Sequence, residues 1–178
     1  MLKTLKWQKD LVLSVQVEKD LFTLAQMREN YLLEFFDVFR CDENWEGVDL
    51  NSAKIIFCIF VSPKNIKSIF SDRAVDDSVI RNNRPVKKRM LSANFDEVGG
   101  ADLIDLSDKY SNIDADLVKA GLTLEKDLDL IYEYDLCGMA GSPEKILNRL
   151  KIYFDTGVNW DPSKKYLFPG IEPPQPSR

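Results

Sequence analysis

Residues 19–39, KDLFTLAQMRENYLLEFFDVF, constrain the fold of this chain more than any other stretch. Two apolar runs flank a polar corner, and two acids, Glu34 and Asp37, sit inside the second run. A surface helix needs a continuous polar stripe, which two isolated acids cannot supply. In an extended chain, Tyr31, Leu33, Phe35, Asp37 and Phe39 share one side, and Leu32, Glu34, Phe36 and Val38 share the other. Each side then carries one acid among apolar residues. Residues 19–27 and 31–39 are therefore predicted to be the arms of a β-hairpin turned at RENY. Its second arm belongs near the centre of a sheet, where Glu34 and Asp37 need partners or an opening to water.

The flanking segments extend the pattern. LVLSVQV, residues 11–17, alternates and predicts a preceding strand. CDENWEGVDLNSA reads as a loop carrying Trp45, and KIIFCIFVS as a buried strand ended by Pro63. KNIKSIFSD predicts a short helical turn, RPVKKRMLS a strand at a solvent edge, and ADLIDLSD a short alternating strand. DADLVKAGLT predicts a helical turn closed by Gly121. LDLIYEYDL, residues 128–136, alternates and predicts a half-solvated strand. The clearest helix covers Pro143–Thr156: Ser142 is its N-cap, Pro143 opens it, and Gly157 stops it. The expected fold is α+β, with a mixed or mainly antiparallel sheet of residues 11–17, 21–27, 31–39, 55–61 and 128–136. The C-terminal helix packs on that sheet through Ile146, Leu147, Leu150 and Phe154. One domain is expected over residues 1–168. A proline-rich extended tail follows over 169–178, which holds four of the eight prolines.

With 44% hydrophobic and 30% charged residues in 178, the chain is globular rather than disordered. No apolar run approaches the ~20 residues that span a bilayer. MLKTLKWQKD lacks the apolar core of a signal peptide. Three cysteines, Cys41, Cys58 and Cys137, form no paired spacing, so a reduced, cytoplasmic setting is expected. The chain has no histidine. This removes Ser-His-Asp and Cys-His catalysis and two-histidine metal sites. Asp102, Asp105 and Asp108 lack the alternate spacing and closing glutamate of a calcium loop. CGMAGSPEK joins a strand to a helix without either phosphate-binding glycine pattern. Cys137 lies beside that turn with nothing evident to activate it. No catalytic residue, metal ligand or cofactor is therefore assigned.

The charge is unevenly placed. Residues 96–135 hold twelve acids and three bases, a balance of −9. The chain total is −5, so the remainder is +4. RNNRPVKKR, residues 81–89, contributes five bases and reads as a solvated loop or an internal partner for the acids. The acidic block repels nucleic acid and attracts a basic partner, unless it is simply a solvated face.

EKDLFTLAQMRENYLLEFFDVF, followed by Trp45, VDLN and KIIFCIFVS, resembles the opening of a bacterial polymorphic-toxin immunity family, immunity protein 26. Asp20, Leu21 and Phe22 match the short strand that opens that family, with Lys19 in place of its usual glycine. The resemblance covers residues 18–62. It implies a small cytosolic protein that binds and blocks one cognate toxin. Such toxins, delivered by contact-dependent inhibition or type VI systems, are often basic nucleases. An acidic surface would occlude such an active site without touching nucleic acid or membrane. The toxin-binding candidates are Asp102, Asp105, Asp108, Asp114 and Asp116, with Tyr110 as an aromatic anchor; Asp129, Glu133 and Asp135 come second. A competing expectation is a small-ligand or nucleotide-binding enzyme using residues 137–145, with a concave pocket beside residues 138–142. The immunity reading expects a flat or convex acidic face instead. A DNA mimic or regulatory adaptor would share that face.

Overall fold

The computed structural model describes residues 4–73, 75, 77–94 and 100–178. The fold is α+β, with two antiparallel sheets and several helices. Strands β1 (Val12–Glu18), β2 (Leu21–Met27), β3 (Leu32–Phe36) and β4 (Ile55–Phe60) form the first sheet in sequence order. The hairpin read from the opening stretch is present: Ala25 faces Phe35 and Met27 faces Leu33. Its second arm is shorter than predicted. Residues Glu29–Tyr31 make a 3-10 turn, with Asn30 at φ 46° and Tyr31 at φ 63°. The chain turns tightly enough there that regular pairing begins only at Leu33.

Both faces of the first sheet are covered, which explains why both parities of β3 are apolar. Leu33 and Phe35 join Val15, Ala25, Phe57 and Ile59 on one face. Phe36 joins Leu24, Trp45, Val48 and Leu50 beneath the 40–53 loop. Leu32 joins Phe60, Met90, Ile104 and Leu106, where the second sheet meets the first. That second sheet consists of β5 (Arg89–Ala93), β6 (Ala101–Asp105) and β7 (Asp116–Lys119). Its other face, through Leu91 and Leu103, packs with Ile131, Trp160 and Phe168. The short helical turn after Pro63 is α1 (Pro63–Ile66).

Two segments differ from the sequence expectation. Residues 116–119 form β7, not a helical turn. Residues Leu124–Glu133 form a helix, α2, where a strand was predicted over 128–136. The alternation of LDLIYEYDL is compatible with either period. Tertiary partners choose the helix. Ile131 is fully buried with Leu122, and Leu124, Leu130 and Tyr134 pack against the same cluster. The Asp127 carboxylate reaches back to accept from the Thr123 N–H at 3.0 Å. At the other end, the buried Lys164 Nζ donates to the Ile131 carbonyl at 2.6 Å, a cation on carbonyls of the last turn. Extended chain starts only after Tyr134: Leu91 N–H donates to Asp135 O, and Cys137 N–H donates to Leu91 O. Further on, Ser62 N–H donates to Ala140 O, and Ala140 N–H donates to Phe60 O. Residues 135–140 thus stitch β5 of one sheet to β4 of the other.

Helix α3 (Pro143–Thr156) lies where the sequence puts it. Ser142 Oγ accepts from Lys145 N–H, and Gly157 at φ 72° closes the last turn. Ile146, Leu150 and Tyr153 are its buried face. Of the apolar stripe Ile146, Leu147, Leu150, Tyr153 and Phe154 that the sequence offers, Phe154, expected in the core, is 37% exposed, whereas Tyr153 is buried and Leu147 is half-buried. A short helix α4 (Lys164–Leu167) precedes the extended tail. Ile171 is buried, and Arg178 reaches Asp37 at 3.3 Å.

Glu34 and Asp37 both have partners. Glu34 Oε2 accepts from Arg28 Nη1 at 3.2 Å and from Asn82 Nδ2 at 2.8 Å. Asp37 accepts from the Tyr153 hydroxyl at 2.7 Å. Part of the basic 81–89 stretch is also internal. Arg84 Nη2 donates to the carbonyls of Leu50 and Ala53, and Lys88 pairs with Asp108. No helix among the described residues is long and apolar enough to cross a membrane.

Candidate functional site

The acidic candidates lie on the second sheet and the loop between β6 and β7. Asp102, on β6, is committed internally: it accepts from Asn94 Nδ2 at 2.9 Å and from Gly121 N–H at 2.7 Å. Asp105 ends β6 half-buried, and its Oδ1 has no hydrogen-bond partner among the described residues. It sits between Arg89 on β5 and Asp116 on β7 in the strand register. Two acids directly opposite on neighbouring strands repel each other. Asp108 is fully exposed and accepts from Lys88 Nζ at 2.6 Å, a bond that holds its carboxyl below the usual range. Tyr110 is half-buried against the Leu106 cluster at φ 53°, with Lys88 over its ring at 5.8 Å. Asp114 and Asp116 are exposed.

Four residues the charge pattern did not single out complete this surface. All of β7 is exposed, and it is an outer strand of its sheet. Leu117 is 61% exposed, Val118 42%, and Ile113 in the preceding loop 88%. Lys119 crosses to Asp127, and this bond holds the Asp127 carboxyl below its ordinary range. An outer strand with exposed apolar residues is a template for a second chain, unless charge protects it. The sequence signal is the DLVK run itself, within a stretch that reads as a helical turn closed by Gly121.

The second-tier acids divide. Asp129 and Glu133 are exposed on α2. Asp135 is largely buried and pairs with Arg149, while its Oδ2 accepts from the Cys58 N–H at 3.1 Å. Arg149 in turn stacks its guanidinium over Phe57 at 4.0 Å and donates to Asn159 at 2.8 Å. These two residues bind α3 to β4 and serve the fold. Asp96 and Glu97 lie outside the described residues.

Two cavities flank the 135–142 segment. A small one of ≈ 50 Å³ is lined by Glu34, Cys58, Met90 and Asp135 among others. It has room for a water or two. Burial raises the Glu34 carboxyl above its ordinary value, against the opposing pull of Arg28. Burial also drives the Cys58 thiol well up. The second is a groove of ≈ 750 Å³ between residues 136–149 and 161–166. It is concave and lies beside residues 138–142, where the small-ligand reading expected a pocket. Cys137, between Leu136 and Gly138 of that lining but itself packed toward the Leu106 cluster, has a thiol raised to about 11 by burial, which leaves it a poor nucleophile at neutral pH. Among the described residues, no group of three or more acids or cysteines is placed to hold a metal ion.

The family model for DUF8309, a domain of unknown function, matches residues 2–172. The chain belongs to that family. Neither the curated proteins nor the solved structures contain a match to it. The DUF8309 match spans both sheets and helices α1 to α4, so the family takes in the acidic edge and the groove alike.

Proposed function

We propose that this DUF8309 chain is an immunity-type binding protein that docks on a basic toxin domain and occludes its active site. The observation that carries the reading is the β7 edge. Ile113, Leu117 and Val118 stand exposed among Asp108, Asp114 and Asp116, on and just before an outer strand that pairs with β6 on one side and with no strand on the other among the described residues. Apolar anchors ringed by charge are the usual make-up of a protein-binding surface. The opposed Asp105 and Asp116 favour a cationic partner, which would relieve their repulsion. The resemblance of residues 18–62 to immunity protein 26 supplies the partner's class, a nuclease-type toxin encoded beside this gene. On this reading the protein works in the cytoplasm and needs neither catalysis nor a cofactor.

The test is affinity for that toxin domain, with protection of toxin-expressing cells as the second readout. Asp114→Asn with Asp116→Asn should slow association and flatten its salt dependence. Leu117→Asp should speed dissociation by about tenfold or more, as loss of a central anchor does. Full affinity in both variants, with little change between low and high salt, would place the partner elsewhere.

A further inference from the structure

We infer that the groove between α3 and α4 binds a small amphipathic anion: an apolar body ending in one carboxylate or similar acidic head. This goes beyond the toxin-docking reading and does not depend on it. The groove's ≈ 750 Å³ lies within the range of small-molecule sites. Its lining divides by chemistry. Ile59, Leu136, Ala140 and Ile146 supply apolar surface. Met139 and Tyr166, from different segments, are 61% and 85% exposed while lining the same space. Two large side chains left in water at one groove mark surface that a ligand would cover.

The head group is specified by charge. Lys145, Arg149 and Lys165 line the groove against one acid, Asp161, a local balance of +2 in a chain of net −5. Two of those cations are already used. Arg149 is paired with Asp135 and lies 3.8 Å from Asp161, and Lys165 is paired with Glu172 at 3.1 Å. Lys145 is exposed, and its Nζ has no partner among the described residues. It is the cation free to meet an incoming carboxylate. The Ser142, Asn148 and Ser163 side chains, all in the lining, add neutral polar groups around it. The groove wall is also fixed in place. Residues 138–142 hang on β4 through the Ala140 bonds to Phe60 and Ser62. At Gly141 a Cβ would come within 3.2 Å of Asn65 Nδ2, so the loop lies close against α1.

The experiment is chemical-shift titration of the full chain with three probes: decanoate below its aggregation concentration, inorganic phosphate as head alone, and decanol as tail alone. Decanoate should shift resonances of residues 136–149 and 161–166 and bind at least about tenfold more tightly than either other probe, the factor that one charge-assisted hydrogen bond supplies. Lys145→Glu and Met139→Asp should each weaken decanoate about tenfold without lowering the melting temperature, since both side chains are exposed. Lys109→Glu, the same charge change on an exposed lysine outside the groove, should leave it unaffected. Shifts centred elsewhere, no saturable decanoate binding, phosphate or decanol binding as tightly as decanoate, or unchanged affinity in Lys145→Glu would each overturn the proposal.

Discussion

Asn82 Nδ2 donates to Glu34 Oε2 at 2.8 Å, linking a loop residue to the centre of the first sheet 48 positions away. Asn82 is itself fully buried. Its N–H donates to Gln26 Oε1 at 2.8 Å, and its carbonyl accepts from Arg28 Nη1 at 2.7 Å. One loop asparagine thus satisfies three polar side chains of β2 and β3 and their approaches. Asn82→Ala should lower stability by about 1–3 kcal/mol, the cost of leaving buried polar groups unpaired. Denaturant midpoints at unchanged slope would check it, and a loss under half a kcal/mol would show that the network rearranges without cost.

Two buried groups make stability depend on pH in opposite directions. Glu34 is raised above 4.5 by burial. The folded protein therefore holds its proton longer than the unfolded chain does. Stability from this group is full below pH ~4.5 and falls as pH rises through the folded value. Glu34→Gln should remove that slope in unfolding curves measured between pH 4 and 7.

Lys164 behaves the other way. Burial lowers it from 10.5 to about 8. Between those values the unfolded chain binds more protons than the folded one, so stability rises from pH ~8 to ~10.5, by on the order of 3 kcal/mol at 1.4 kcal/mol per unit. Lys164→Met should flatten this rise. If wild type shows none, Lys164 keeps its charge on the α2 carbonyls at no cost.

Leu150 and Phe154 separate the two sides of α3. Leu150 is fully buried, so Leu150→Ala should cost about 2–5 kcal/mol. Phe154 is 37% exposed, and Phe154→Ala should cost about 1 kcal/mol or less. Equal losses in thermal unfolding would mean that the Phe154 contact with Phe39, at 5.1 Å between ring centroids, carries more than its exposure indicates.

The acids divide into those that serve the fold and those that face solvent. Asp102→Asn keeps the acceptor oxygen but loses its charge on two donors, and should destabilise by about 1–2 kcal/mol. Asp114→Asn should stay within about 0.5 kcal/mol. Asp116→Asn should be neutral or stabilising, because it removes the repulsion across from Asp105. A clear destabilisation by Asp116→Asn would show that the facing acids are held in place by other contacts.

Much of the fold was legible in the chain. The hairpin over β2 and β3, the buried β4 and the capped α3 are local patterns, where the period of apolar residues and the cap chemistry agree. The need of Glu34 and Asp37 for partners was equally legible, because a charge placed among apolar residues on either parity cannot stay unpaired. The partners were not, since Asn82 and Tyr153 come from 48 and 116 positions away. The helix at 124–133 was beyond local reading for a related reason. LDLIYEYDL fits two periods, and only the pocket around Ile131 and the Lys164 ammonium on its last carbonyls favour one. The net charge of the 96–135 block follows from residue identity alone. Which of its acids face water is a property of the packed sheet. Asp102 and Asp135 turn to internal donors, whereas Asp114 in the β6–β7 loop and Asp116 on the outer strand stay exposed, because hydrogen bonds and burial are set between segments and not along them.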